Sequence, residues 1–492
     1  MMAVVALPRL VLLPFNENLY GDAVSRAEMG ERWMANPHLI TAFGDGAGQY
    51  GPLHLYLVGL ATAFADREIA GRIVSLLSGV LTVVPLYRLA RRLAGWQAGA
   101  VACLGLAVWG LHIQFSTTAA SESVAIFLML SALSAFSSAL ETGRSRDLAW
   151  AAVWLNLAEA VRYDAWMYPP IVAAAVFWTG SQASLSRRQL GGFVAACLLF
   201  PIMWMTGNYL MHGDPMFPVA YINGEHSRWA ATYDGFWREL WLRAQGIGFW
   251  PVMALVTLTP GVAAFSFVGI LAVWRERKIV RWVIVVLSAP ILYYAVRTTI
   301  FGDFVPLTRF MAVSLALMLV FVSDGHRVAT RWWGSGRARS LVRAAAVLAL
   351  AIPVVIGWVT FRRDGFVPDV IRPISPVSTN RRAVMLAAAF VRSTVVPGAN
   401  GLVVDTDEKT FLDLPLVFYG GLLEEQAIRL RQPADLSRIE RERPGYAVRL
   451  DGGSLIHQGA VRLSGRTLEL DGTAYDELDG FSAPVHVYRR RP

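Results

Sequence analysis

The sequence predicts an α-helical polytopic membrane protein with a small α/β domain at its C-terminal end. Three observations carry that expectation. Of 492 residues, 55% are hydrophobic and only 16% charged, against roughly 25% charged in an ordinary soluble chain. Apolar runs near or above bilayer-crossing length recur along residues 1–361. Lys and Arg gather in every second connection between those runs, the mark of cytoplasmic loops.

The runs fall at about 2–16, 69–89, 97–117, 122–140, 147–163, 166–180, 190–210, 249–274, 281–301, 306–323 and 343–361, about eleven crossings. Arg88, Arg91 and Arg92 follow the second run, Arg144 and Arg146 the fourth, and Arg187 and Arg188 the sixth. The string "RERK" (275–278) follows the eighth, and "HRVATRWWGSGRARSLVR" (326–343) the tenth. An odd number of crossings puts the N-terminus inside and the C-terminus outside, so the chain reads as a multi-pass protein of the cytoplasmic (inner) membrane. The first run is short and carries Arg9 with no basic segment before it, which suggests a start site downstream of the true one. No small-residue cleavage site follows it, which argues against a signal peptide.

Two stretches break the pattern. "GPLHLYLVGLATAFAD" (51–66) is apolar but short, as expected of a helix lying along the outer leaflet. From about residue 362 the character changes: "GLVVDTD" and "YAVRLDG" read as short strands and "STNRRAVMLAAAFVRS" as a helix. The expected division is a membrane domain over 1–361 and an outer α/β domain over 362–492.

The net charge of +9 lies between apolar spans, which excludes a nucleic-acid partner as its explanation. Cys103 and Cys197 each sit inside an apolar run without CxxC spacing, as small buried hydrophobes do.

This topology gathers polar residues at the outer face. Asp22 and Glu28 lie in the first loop, and Glu122 opens the fourth run. Arg162, Tyr163 and Asp164 lie between the fifth and sixth runs. His212, Asp214, Glu225 and His226 follow the seventh, and Asp303 and Arg309 precede the tenth. Charges at the lip of a helix bundle need water, a partner or a task. Bland readings stand beside the functional ones. Asp22 can serve as a helix N-cap, Glu122 can cap its own helix, Asp164 can pair with Arg162, and single loop carboxylates are usually just solvated. The histidines have no metal-ligand spacing.

"YGDAVSRAEMGERWMANP", "QYGPLHLYLVGLATAF" and "REIAGRIVSLLSGVLTVVPLYRLARRLAG" resemble the N-terminal half of GT-C glycosyltransferases. The nearest likeness is to the protein-mannosyltransferase and aminoarabinose-transferase-like group (glycosyltransferase family 39-like). Asp22, Ala27, Glu28 and Pro52 match its first outer loop. "STTAASESVAIFLML" matches its second carboxylate at Glu122, "AEAVRYDAWMYPP" its basic turn, and "VPLTRFMAV" its Pro-x-x-Arg turn at Arg309. The likeness spans roughly residues 1–325, and its strength lies in the order of the motifs. One departure is clear: Ala23 stands where the family usually carries a second acid.

The resemblance implies a GT-C fold and transfer of a sugar from a polyprenyl-phosphate carrier to an acceptor hydroxyl or phosphate at the outer face. Asp22 is then the expected general base and Glu122 its catalytic partner. Arg162 and Arg309 would hold the donor phosphate, with Glu28, Tyr50, Tyr163 and Asp164 as further substrate-binding candidates. Asp22 and Glu122 could also share a divalent metal ion. Expected partners are the lipid-linked sugar, membrane lipid, and a glycan, lipid or protein acceptor, with no nucleic acid. Two other classes fit the composition: a lipid or solute transporter (flippase), whose path would also hold intramembrane charges, and a non-catalytic assembly subunit of the same fold, which Ala23 favours.

Overall fold

The computed structural model describes residues 1–15, 21–180, 184–332, a few positions between 340 and 348, 381–396, 401–406, 412–430, 435–451, 453, 461–470, 472–481 and 483–491. The chain is a multi-pass membrane protein: apolar helices up to Trp332, then a C-terminal sheet domain.

Five described helices are long and apolar enough to cross a bilayer: Arg67–Ala94, Ser121–Thr142, Arg187–His212, Lys278–Phe301 and Thr308–Trp332. Two further apolar stretches are bent pairs. Trp96–Val108 meets Gly110–Thr117 at 64°, and Phe236–Thr257 meets Pro260–Glu276 at 118°. The runs expected at 97–117 and 249–274 are therefore broken rather than straight. At the second break Thr259 takes φ 68° and Pro260 opens the next helix, where its missing N–H costs nothing. Runs 2–16, 147–163 and 166–180 hold shorter helices, Met2–Leu12, Ser145–Glu159 and Tyr168–Thr179. The run at 343–361 and the expected domain boundary at 361/362 lie outside the described residues. Large side chains stay open on the helical surface, Leu210 and Leu271 among them, as lipid-facing side chains do.

Arg9, the charge that made the first run look anomalous, is buried and bonded. It donates to the Val5 carbonyl (2.6 Å) and the Leu106 carbonyl (3.1 Å), and its Nη2 lies 2.7 Å from His112 Nδ1.

The first loop forms two helices, Gly21–Ala35 and Pro52–Thr62. They cross closely through glycine. A Cβ on Gly30 would stand 2.7 Å from Val58, and one on Gly59 would stand 2.7 Å from the Gly30 carbonyl. The second of these, the expected interfacial helix, begins at Gly51. A Cβ there would collide with the Ala160 carbonyl. That same carbonyl accepts from the Leu53 N–H (3.0 Å). The first loop is thereby fixed to the turn that carries Arg162.

The tail folds as one seven-stranded mixed sheet of β1 (Leu402–Asp405), β2 (Ala427–Leu430), β3 (Tyr446–Leu450), β4 (Val461–Ser464), β5 (Thr467–Leu470), β6 (Thr473–Glu477) and β7 (Val485–Arg490). Their order is β2-β1-β3-β7-β6-β5-β4. β1 pairs parallel with β2 and β3, and the remaining pairs are antiparallel. The two expected strands are β1 and β3, and Arg381–Thr394 is the expected helix. Leu402, Val403 and Val404 run on without polar alternation in β1 because it is buried on both faces. The tail docks on the first loop. The Arg67 guanidinium lies 4.4 Å from the Phe418 ring centroid and donates to the Leu422 carbonyl (3.2 Å). Arg392 pairs with Glu68 (2.7 Å), and Arg32 pairs with Glu425.

Candidate active site

Asp22 sits in the first turn of the Gly21–Ala35 helix. Its side chain does not act on its own helix end alone. Oδ1 accepts from the Tyr50 hydroxyl (3.1 Å), and Oδ2 accepts from Arg309 Nη1. Burial by itself would raise the Asp22 carboxyl. The charges of Arg309 and Arg26 and the bonds from Arg309 and Tyr50 outweigh it and hold the group at about 2. Tyr50 is pushed up by burial and by the Asp22 charge, so its hydroxyl stays protonated and donates.

Glu122 opens the Ser121–Thr142 helix, whose N-cap is Ala120 without a side-chain bond. Its side chain is 2% exposed. Oε1 accepts from Arg162 Nη1 (2.6 Å), while Oε2 is buried without a hydrogen-bond partner among the described residues. Arg162 also donates through Nε to Asp164 (2.9 Å). That turn is short: the Ser145–Glu159 helix ends at Ala160, and a 3₁₀ turn over Tyr163–Met167 follows. Pro169 in the next helix's first turn helps stop the previous element from running on.

Arg309 lies in the 3₁₀ turn Thr308–Met311 that leads into the tenth apolar run. Phe310 stands between the two arginines, 5.5 Å from the Arg309 guanidinium and 5.8 Å from that of Arg162. Glu122, Arg162, Asp164, Arg309 and Phe310 line one pocket, with Met129 and Tyr168. The loop before Arg309 is fixed by Arg297, which grips Asp303 through two bonds (3.1 and 2.8 Å) and reaches Asn223 (2.7 Å). His226 packs 4.4 Å from Phe304 and 5.6 Å from Phe310, ring centre to ring centre. Burial, then the charges of Arg309 and Arg297, push it down to about 3, so it is a neutral wall beside the cluster.

The structure thus brings together Asp22, Tyr50, Glu122, Arg162, Asp164 and Arg309. Two other candidates are committed elsewhere. Glu28 accepts from Arg32 one turn along (2.8 Å), the arginine that also reaches Glu425 of the tail. The Tyr163 hydroxyl accepts from Trp204 Nε1 (3.1 Å) in an aromatic cluster with Trp166 and Phe200. His212 stacks on Phe217, 4.1 Å between ring centres, and Asp214 caps the Met216 N–H (2.8 Å). Ala23, in place of the family's second acid, is fully buried, so a carboxylate there would need a partner of its own.

The cluster does not fit a divalent ion held by Asp22 and Glu122. Each carboxylate already accepts from a guanidinium. Among the described residues no group of three or more His, Cys, Asp or Glu could hold a metal, and two carboxylates among arginines are a poor donor set.

Residues 49–205 match the family described as dolichyl-phosphate-mannose-protein mannosyltransferase. Over its length the chain is similar to ArnT from Cupriavidus metallidurans bound to undecaprenyl phosphate. The match has 14% identity and a TM-score of 0.62, and covers 99% of this chain and 97% of that one. The chain has the GT-C glycosyltransferase fold. It is also similar to an oligosaccharyltransferase of Archaeoglobus fulgidus in complex with Zn and sulfate, at 15% identity and a TM-score of 0.57, over 91% of this chain and 67% of that one. The same organism's oligosaccharyltransferase AglB, in complex with an inhibitory peptide and a dolichol-phosphate, matches at 14% identity and a TM-score of 0.54, over 91% and 68%. A search of curated proteins finds no match to the sequence. The GT-C fold accords with the order of motifs from Asp22 to Arg309.

Arg26 was not singled out by its sequence context. It is 5% exposed and its guanidinium lies 4.1 Å from the Tyr50 ring centroid. The only signal was its place one turn after Asp22, which any solvated helix charge would share.

Proposed function

We propose that this GT-C protein transfers a sugar from a polyprenyl-phosphate carrier to an acceptor hydroxyl, of a glycan, lipid or protein, at the outer face of the cytoplasmic membrane. The observation that carries this reading is the convergence of Asp22 and Glu122 with Arg162 and Arg309, two carboxylates each held by one arginine. The lipid-phosphate and dolichol-phosphate named with two of the similar structures support the donor class.

Asp22 is the general base. An acceptor hydroxyl is a poor nucleophile, and a carboxylate within reach takes its proton as the bond to the sugar forms. Held at about 2 by its partners, Asp22 is ionised but weakly basic. A donor phosphate that engages Arg309 competes with Asp22 for the same guanidinium. As the phosphate draws Arg309 away, Asp22 regains basicity, so donor binding readies the base. The departing phosphate leaves with negative charge, and the planar forks of Arg309 and Arg162 suit it. Glu122 keeps Arg162 aimed into the pocket. In this reading the N-terminus is inside and the sheet domain outside, on the side of the first loop it touches.

The test is release of labelled sugar from a polyprenyl-phosphate-linked sugar by purified protein. Transfer with turnover supports the reading. Stable binding of the lipid with no transfer to any acceptor class would favour the non-catalytic subunit, and lipid movement without cleavage would favour a flippase.

A further inference from the structure

Beside the Asp22–Arg309 pair lies a positive group that no ion pair among the described residues absorbs. Arg26 is buried, and among the described residues its Nε and Nη1 have no hydrogen-bond partner. Its guanidinium rests on the face of Tyr50, 4.1 Å from the ring centroid, and the Tyr50 hydroxyl donates to Asp22. His54, on the helix packed against the Arg26 helix, is 1% exposed, and among the described residues neither ring nitrogen has a partner. Burial, then the Arg26 charge, push His54 well below the usual imidazole range. It is therefore neutral and offers one N–H.

A buried charge without acceptor oxygens is costly. An aromatic face offsets part of that, but satisfies no N–H. Elsewhere in the cluster the guanidiniums already hold carboxylates, although Arg309 Nε also lacks a hydrogen-bond partner among the described residues. Arg309 holds Asp22, and Arg162 holds Glu122 and Asp164. Arg26, which holds no carboxylate among the described residues, therefore supplies two uncommitted N–H donors, and His54 supplies another close by. The group that satisfies such donors is an anion with several acceptor oxygens, and a phosphate has that form. The supporting features are independent: two orphaned side chains from two different helices, each more than nine-tenths buried.

We propose that Arg26 and His54 form a phosphate subsite next to Tyr50 that takes the phosphate of the lipid carrier. This rests on the reading of the protein as a polyprenyl-phosphate-dependent transferase and assigns the first phosphate contact to Arg26. Arg309 joins once the phosphate is seated, which frees Asp22 in the order the base needs. Arg26 is then a binding residue.

The experiment measures binding of undecaprenyl phosphate, undecaprenol and inorganic phosphate to the purified full chain in detergent, with no acceptor present. Variants are Arg26→Gln, Arg26→Lys and His54→Phe. The expected result is tight binding of undecaprenyl phosphate by the parent and a loss of about tenfold or more in Arg26→Gln. Arg26→Lys should fall between, since it keeps the charge and loses the fork. Undecaprenol binding should be equal in parent and variants. Undecaprenyl phosphate affinity within twofold of the parent in Arg26→Gln overturns the subsite. Inorganic phosphate binding as tightly as the lipid overturns the carrier as its source. If Arg26→Gln does not fold, Arg26→Lys and His54→Phe carry the comparison, and parental phosphate affinity in both overturns it. A parent that binds undecaprenyl phosphate no better than undecaprenol sinks the donor class itself, a different failure from parental binding that survives loss of Arg26.

Discussion

Asp22 and Arg309, 287 positions apart in the chain, form one ion pair at one end of the helical domain. The pair links the first loop to the turn before the tenth apolar run. Everything proposed for the chemistry depends on whether substrate can open it.

Removing Arg309 should weaken the donor more than it weakens the fold. One charge-assisted contact is worth about 1.5–3 kcal/mol, so Arg309→Ala should lower apparent affinity for a polyprenyl-phosphate sugar by about tenfold or more. Titration of donor in a transfer assay measures this. Unchanged affinity would remove Arg309 from the donor site.

The Asp22 carboxyl gives a pH signature. It sits at about 2 in the fold against an ordinary value of 3.8. As pH falls, the unfolded chain takes up the proton first. The stability tied to Asp22 is therefore fully present above about 4 and is lost on the way down to 2. The difference in thermal stability between parent and Asp22→Asn should be constant from pH 7 to 5 and shrink between 4 and 2. A difference that grows as pH falls would mean that Asp22 is not held by Arg309 and Tyr50.

The contact of Gly51 with the Ala160 carbonyl predicts a positional effect. Gly51→Ala pushes the interfacial helix from the turn that carries Arg162, at a cost of about 1–3 kcal/mol for an overpacked contact. Both thermal stability and donor affinity should drop. A variant with parental melting temperature would show that the two segments are not pressed together.

Topology is testable independently of chemistry. A reporter fused after Pro492 should be active only when it is outside the cytoplasm. Activity only in the cytoplasm would reverse the orientation and put the first loop on the wrong side for a lipid carrier at the outer face.

Much of this arrangement was legible in the sequence, and the reasons differ by element. Composition and basic loops give a polytopic helical chain because burial in lipid and the placement of Lys and Arg obey local rules. The short apolar stretch after Gly51 reads as interfacial by length alone. The tail strands β1 and β3 follow from runs of Leu, Val and Tyr. The breaks at Trp109 and Thr259 were not legible as breaks. Only Pro260 hints at the second, and apolarity continues across both. Pairings such as Asp22–Arg309 and Glu122–Arg162 depend on distant segments meeting, so sequence could name the residues without naming the pairs. Tyr163 shows the limit: its neighbours Arg162 and Asp164 enter the cluster, but within one tight turn its own side chain points to Trp204. Arg26 is not legible, because its distinction is burial with unpartnered N–H groups, which a linear sequence does not display.

The central claim is that the Asp22 carboxylate removes the acceptor proton, and Asp22→Asn tests it most directly. Asn keeps the shape and still accepts a hydrogen bond from Tyr50, but it cannot take a proton. The measurement is single-turnover transfer from a labelled polyprenyl-phosphate sugar, with donor binding measured on the same protein and Glu28→Gln as the control. The account predicts that Asp22→Asn binds donor but transfers about 10²–10⁴ times more slowly, while Glu28→Gln, whose carboxylate pairs with Arg32, loses far less. Transfer at the parental rate by a folded, donor-binding Asp22→Asn would contradict it and leave Asp22 a structural residue, since Asn serves at a helix N-terminus about as well as Asp.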